Sequence, residues 1–247
     1  MNDLSLTVGS SPLPRGIENP GCVDTEAVAR TVPSRVRVKI CGITSAADAE
    51  LAISAGADAL GFNAWQGSKR YLNLHAASEW MRHLPGFVTR VALCVNAPLE
   101  EALRLEALPG VDILQFHGDE SPEYCAAYAA GVRSFIRAVR LASEADVASL
   151  ASWGTRQVLV DAAVPGAFGG TGTLLDAHLA MRAVASHSHL SVTLAGGLDP
   201  ENVAEAVRII RPYAVDVASG VESAPGKKDA SKMRAFVEAV RSAKMRC

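Results

Sequence analysis

The segment RVRVKIC, residues 35–41, runs straight into Gly42 and Thr44 and says most about the fold. Polar and apolar residues alternate along it, so as a β-strand it has two unlike faces. Val36, Val38 and Ile40 share one face, and Arg37, Lys39 and Cys41 share the other. In a barrel wrapped by helices the apolar face turns outward. This pattern therefore sends Arg37, Lys39 and Cys41 inward and sets Cys41 at the C-terminal mouth. A thiol at that junction has four readings: packing, a metal ligand, a redox centre or a catalytic group.

Working outward, the same kind of segment recurs. ALGFNA, VTRVALCV, DILQFHG, SFIRAVRL, QVLVDA, LSVTLAG and YAVDVASG are short and rich in strand-forming residues. Between the strands lie Ala- and Leu-rich stretches with helical spacing, at 46–55, 74–83, 99–108, 123–130, 144–152, 174–186, 201–209 and 230–243. Thr44/Ser45, Ser121-Pro122 and Asp199-Pro200 each place a capping residue or proline at a helix front. Eight such units of roughly 26 residues predict an α/β protein, a single (β/α)8 TIM barrel over 35–247. An open doubly wound sheet is the alternative. No GxGxxG follows the first strand, and GGTGTLL (169–175) fits neither that pattern nor the Walker A pattern.

Composition narrows the function classes. The 247 residues are 49% hydrophobic and 20% charged, a globular balance. A net charge of −2 supplies no field for nucleic acid or an anionic membrane, and 5% aromatic residues offer few stacking platforms. Neither partner is expected. No apolar run approaches the roughly 18 residues of a spanning helix. Five cysteines, widely spaced and without CxxC, disfavour a disulfide framework and a zinc site. A reducing, cytoplasmic compartment is the simplest reading. Residues 1–34, with Pro12, Pro14, Pro20 and Pro33, lack a signal-peptide pattern and read as a poorly ordered extension.

Several residues carry candidate chemistry. Cys41 alone is most often packing. Asp161 ends QVLVDA on the face of Leu159, and by itself it reads equally as a loop cap. Together they face one cavity from two strands, as an acid–base pair requires. Lys39 and a nearby helix N-terminus are expected to lower the thiol pKa. Gly196-Gly197 after the seventh strand and Ser219-Gly220 after the eighth stand where barrels bind phosphate. Two ordinary turns are the plain alternative. Lys69 and Arg70 form either a solvated loop or, at the mouth, a carboxylate clamp. His117 reads as lining, Asp216 as a satisfied barrel group, and PGKKD (225–229) as a charged lead into the last helix.

The segments VKICGIT, GADALGFN with SKRYL, LCVN, LQFHGDE, LVDA, FGGTGTLLD, LAGGLDPENV and YAVDVASGVESAPGKKD together resemble the phosphoribosylanthranilate isomerase family of tryptophan biosynthesis. The resemblance implies a barrel enzyme with no cofactor and no metal, acting on a small phosphorylated substrate as a monomer or homodimer. It makes Cys41 the general base, Asp161 the general acid and Arg70 the residue that binds the anthranilate carboxylate. Gly196, Gly197, Ser219 and Gly220 become the phosphate site. His117 and Asp216 line the substrate, and Gly169 and Gly170 belong to a mobile segment beside it. The chain departs from the pattern at Thr173, Leu174 and Leu175, where the family often has Lys or Gln and then an aromatic residue. Residues 1–34 have no counterpart. The implied reaction is an Amadori rearrangement. A sugar-phosphate lyase on a similar barrel and a non-catalytic metabolite binder are the alternatives.

Overall fold

The computed structural model describes residues 35–162 and 176–243. The extension at 1–34 and the segment holding Gly169 and Gly170 lie outside them. Strands β1 (Arg37–Cys41), β2 (Ala59–Asn63), β3 (Thr89–Cys94), β4 (Ile113–Phe116), β5 (Phe135–Leu141), β6 (Gln157–Ala162), β7 (Ser191–Leu194) and β8 (Ala214–Val217) pair in parallel in chain order. The last then pairs with the first, with Lys39 opposite Asp216. That closure excludes the open sheet and makes the fold a (β/α)8 barrel.

Helices α1 (Ala46–Ala55), α2 (Leu74–Met81), α3 (Leu99–Glu106), α4 (Pro122–Ala129), α5 (Glu144–Ser149), α6 (Ala177–Ser186), α7 (Val203–Ile210) and α8 (Ala230–Ser242) alternate with the strands. None among the described residues is long and apolar enough to cross a membrane. Ser45 caps α1 by accepting from the Asp48 N–H, and Ser121 caps α4 in the same way with Pro122 in its first turn. Asp199 differs from the expectation. Its carboxylate accepts from the Glu201 and Asn202 N–H groups at 2.8 and 2.9 Å, closing a turn, and α7 begins only at Val203. A short antiparallel hairpin, β9 (Glu222–Ala224) and β10 (Lys227–Lys228), sits between β8 and α8.

The period-2 pattern sorts the core into two layers. Val36, Val38 and Ile40 join the large apolar cluster between sheet and helices, together with Ala49, Phe236 and Val240. Inside the barrel the apolar clusters are small: Cys41, Leu93 and Val95 at one level, and Ala138, Leu159 and Ala195 at another. Polar side chains fill the remaining interior, including Lys39, Gln115 and Asp216. Arg37 is the exception on its face. It lies exposed at the N-terminal rim, its guanidinium 4.4 Å from the Tyr213 ring centroid.

Phe116 on β4 anchors the outer layer. Its ring stands 4.9 Å from Tyr128, 5.3 Å from Phe135 and 5.4 Å from Tyr124, the two tyrosines edge-on. Phe116→Ala is expected to destabilise the fold by about 3–5 kcal/mol, read from the midpoint of chemical denaturation. A loss below about 1 kcal/mol would mean that this cluster is not close-packed.

Candidate active site

The C-terminal ends of the strands open onto a cavity. Cys41 from the end of β1 and Asp161 from β6 both line it, as do Arg70, His117, Gly196, Gly197, Asp216 and Ser219. Parallel strands in register all end at one rim, so residues far apart in sequence converge there. Gly220 borders an adjoining cavity with Asp199, Ser219 and Lys232.

Two charge systems surround the thiol. Lys39 Nζ donates to Asp216 Oδ1 at 2.8 Å, both side chains nearly sealed from solvent. A methyl placed on Gly61 of β2 would meet Cys41 Sγ at 2.6 Å and Lys39 Nζ at 3.0 Å, so thiol and ammonium share one crowded spot that only glycine leaves open. Burial pulls the Lys39 pKa down, but Asp216 and Cys41 outweigh it and the ammonium is held above its ordinary value. Asp216 is thus committed to Lys39 at one oxygen.

The thiol does not follow the sequence expectation. Burial raises the Cys41 pKa, and the opposing pull of Lys39 and Lys228 does not cancel it, partly because Asp216 pushes the same way as burial. In the empty cup Cys41 is therefore held above the ordinary thiol value. Lys39 neutralises part of its own influence by pairing with Asp216.

Arg70 is also engaged. Its Nε and Nη2 donate to the two oxygens of Glu222 at 2.8 and 2.9 Å. Its side chain lies across Gly42, where φ is +77° and a Cβ would fall 2.3 Å from Arg70 Cδ. Lys228, in the stretch expected to be a charged lead-in, is buried and donates to Glu222 Oε1 at 2.8 Å and to the Ala218 carbonyl at 3.0 Å. Here β10 turns Lys228 inward, opposite Glu222.

His117 Nε2 stands 3.4 Å from Asp161 Oδ2, outside good hydrogen-bond geometry, and its Nδ1 is 3.0 Å from Gln115 Nε2. An amide donating to Nδ1 would leave the ring N–H at Nε2, facing the carboxyl. The backbone on either side of His117 is fixed by a pair the sequence reading missed. Glu120 accepts from Arg137 at 2.7 Å, from the Gly118 N–H at 2.9 Å and from the Asn96 N–H at 2.8 Å. Arg137 donates in turn to the Phe116 and Gly118 carbonyls, both at 3.1 Å. The available signal was Arg137, a charge inside a strand-forming segment; Glu120 lies in the loop after β4.

The two loops proposed for an anion meet backbone to backbone. Gly196 and Gly197 take φ of +89° and +64°, open to glycine at low cost. A Cβ on Gly220 would lie 2.0 Å from the Leu198 carbonyl oxygen.

The family model for N-(5'-phosphoribosyl)anthranilate (PRA) isomerase matches residues 38–239. The chain belongs to the PRA isomerase family. The curated N-(5'-phosphoribosyl)anthranilate isomerase of Magnetococcus marinus is 49% identical over 208 residues, 84% of this chain and 96% of the relative. That of Citrifermentans bemidjiense is 45% identical over 201 residues, 81% and 95% respectively. The crystal structure of the Thermus thermophilus family member superposes with a TM-score of 0.76 at 39% identity, covering 85% of this chain and 100% of that one. A family structure in complex with reduced 1-(o-carboxyphenylamino)-1-deoxyribulose 5-phosphate superposes at 0.72 and 34% identity, covering 83% and 98%.

Within this PRA isomerase barrel the Glu120–Arg137 pair has a measurable consequence. Breaking a buried pair from one side leaves an uncompensated charge, so Arg137→Met is expected to cost about 3–5 kcal/mol in denaturant unfolding. Replacing both members, Glu120→Gln with Arg137→Met, is expected to recover part of that loss. No recovery would show that the pair is not energetically coupled.

Proposed function

We propose that this chain catalyses the Amadori rearrangement of N-(5'-phosphoribosyl)anthranilate to 1-(2-carboxyphenylamino)-1-deoxyribulose 5-phosphate, in L-tryptophan biosynthesis. The observation that carries the residue roles is the shared cavity. A thiol from β1 and a carboxyl from β6 line one cup, in a chain of this family.

Asp161, as the acid, gives its proton to the furanose ring oxygen. The C1–O bond breaks, and the anthranilate nitrogen supplies the electron pair of the new C1=N bond. The product is an open-chain cationic Schiff base. Cys41, as the base and in its thiolate form, takes the proton from C2, and those electrons move through C1 to quench the cation, leaving an enolamine. That species tautomerises to the ketone, a proton passing to C1. The substrate's own nitrogen is the electron sink. With the thiol pKa raised by burial, only a fraction of the free enzyme carries thiolate at neutral pH, and the Schiff base cation beside it favours that form.

Arg70 takes the anthranilate carboxylate, and Gly196, Gly197, Ser219 and Gly220 take the phosphate through backbone N–H groups. Gly169 and Gly170 are assigned to the same substrate by resemblance alone. Anchors at both ends hold the sugar between acid and base. The free thiols Cys41, Cys94 and Cys125 support a reducing, cytoplasmic setting. A Thermotoga maritima member of the family is described as dimeric, and the chain is assigned as a monomer or homodimer.

Fluorescence loss of the substrate, generated in situ, tests the roles. Cys41→Ala and Asp161→Asn are each expected to lower kcat by about 10²–10⁴ while leaving the fold intact. Arg70→Ala is expected to raise KM by about 10–100-fold, the worth of charge-assisted hydrogen bonds. Wild-type turnover in either of the first two removes that residue from the mechanism. A base whose pKa lies above the ordinary 9.0 gains thiolate continuously as pH rises, so kcat/KM is expected to climb through neutral pH with no plateau below that value. A profile already flat at neutral pH contradicts a thiol base.

A further inference from the structure

The stretch PGKKD has no part in the reaction as described, yet it delivers the most deeply buried cation of the mouth. Lys228 side-chain atoms are 0% exposed and those of its partner Glu222 4%. Glu222 is gripped from three sides. Arg70 takes both its oxygens, Lys228 takes Oε1, and Lys232 Nζ donates to its backbone carbonyl at 2.8 Å. The hairpin that presents Lys228 is itself tied to the β1 mouth, where Thr44 Oγ1 donates to the Gly226 carbonyl at 2.7 Å.

A guanidinium has two edges that each match a carboxylate, Nε with Nη2 and Nη1 with Nη2. Glu222 occupies the first edge of Arg70. Among the described residues no protein group pairs with the second, and Arg70 lines the cavity that holds Cys41 and Asp161. A carboxylate bound on one edge fixes the plane of the fork and hence the direction of the other. An arginine free to rotate would lose part of its binding energy to ordering.

We propose that Glu222, held by Lys228, is the positioning residue that aims the open edge of Arg70 at the carboxylate end of the substrate. This rests on the reading of Arg70 as the carboxylate anchor. Glu222 stands directly after the Ser219–Val221 turn, so one side chain joins the anchor for the carboxylate to the loop for the phosphate. The distance between the two anchors is thereby set by a protein contact before substrate arrives. Substrates lacking the aromatic carboxylate gain nothing from this arrangement, which makes Glu222 a determinant of specificity as well.

The test is a mutant cycle read as KM against kcat with the in situ substrate. Glu222→Gln is expected to raise KM about tenfold and to change kcat less than about threefold, the signature of lost binding rather than lost chemistry. In an Arg70→Ala background the same substitution is expected to add less than about twofold, because its effect passes through Arg70. Glu222→Asp is expected to recover part of the affinity. If Glu222→Gln exposes two unpaired cations and the variant fails to fold, Glu222→Gln with Lys228→Met keeps the buried charge constant, and it is expected to fold and show the same raised KM. An unchanged KM in a folded Glu222 variant, alongside a raised KM in Arg70→Ala, overturns the positioning role and leaves the anchor standing. An undiminished effect of Glu222→Gln in the Arg70→Ala background shows that Glu222 serves the fold alone. An unchanged KM in Arg70→Ala itself removes the anchor, and the proposal with it.

Discussion

The seam where β8 meets β1 carries the constraint on which the rest of the mouth depends. There Lys39 and Asp216 stand opposite each other in register and pair at 2.8 Å, inside the barrel. Taking two charges out of water costs several kcal/mol each, and only close pairing offsets it. The pair therefore holds the last strand to the first in one register. A slip by one residue would bury Ile40 in the lumen and turn the ammonium into the helix layer. With that register, Cys41 lies one step above Lys39 on the same face, at the rim.

Charge balance at the rim then shapes the chemistry. Three cations, Lys39, Arg70 and Lys228, pair with Asp216 and Glu222, and the Asp161 carboxyl lines the same cup. Burial pushes the Glu222 carboxyl up, but hydrogen bonds from Arg70 and Lys228 more than reverse this and hold it below the usual carboxylate range. Burial pushes Lys228 down, and Glu222 restores only part of that. Burial disfavours the thiolate in the empty cup.

Much of this was legible along the chain. Alternation in residues 35–41 showed which side chains enter the barrel, and Ser45 and Ser121 announced the starts of α1 and α4. Local rules worked where the deciding contact was local. They failed where it was not. Arg70 and Glu222 are 152 residues apart, and nothing near either one marks the partner. Lys228 read as part of a charged lead into the last helix, whereas a two-residue strand turns it inward. Arg37 lay on the inward face of the pattern but fell beyond the rim, where the interior ends. Asp199 resembled a helix cap and capped a turn instead, since the Asp-Pro signal marks a start without specifying what starts. The direction of the thiol pKa was missed because Lys39 was counted without the burial that opposes it and without Asp216, which pushes the same way as burial.

A structure of this chain with the reduced product analogue bound tests the central claim most directly. The account requires the sugar to lie in the cup with its C2 about 3–3.5 Å from Cys41 Sγ, a near-attack separation, and with Asp161 on the side of the ring oxygen. Phosphate at Gly197 and Ser219 and the aromatic carboxylate on Arg70 complete that pose. An analogue bound with its ends reversed, or with the Cys41 sulfur turned away from the sugar, would contradict it.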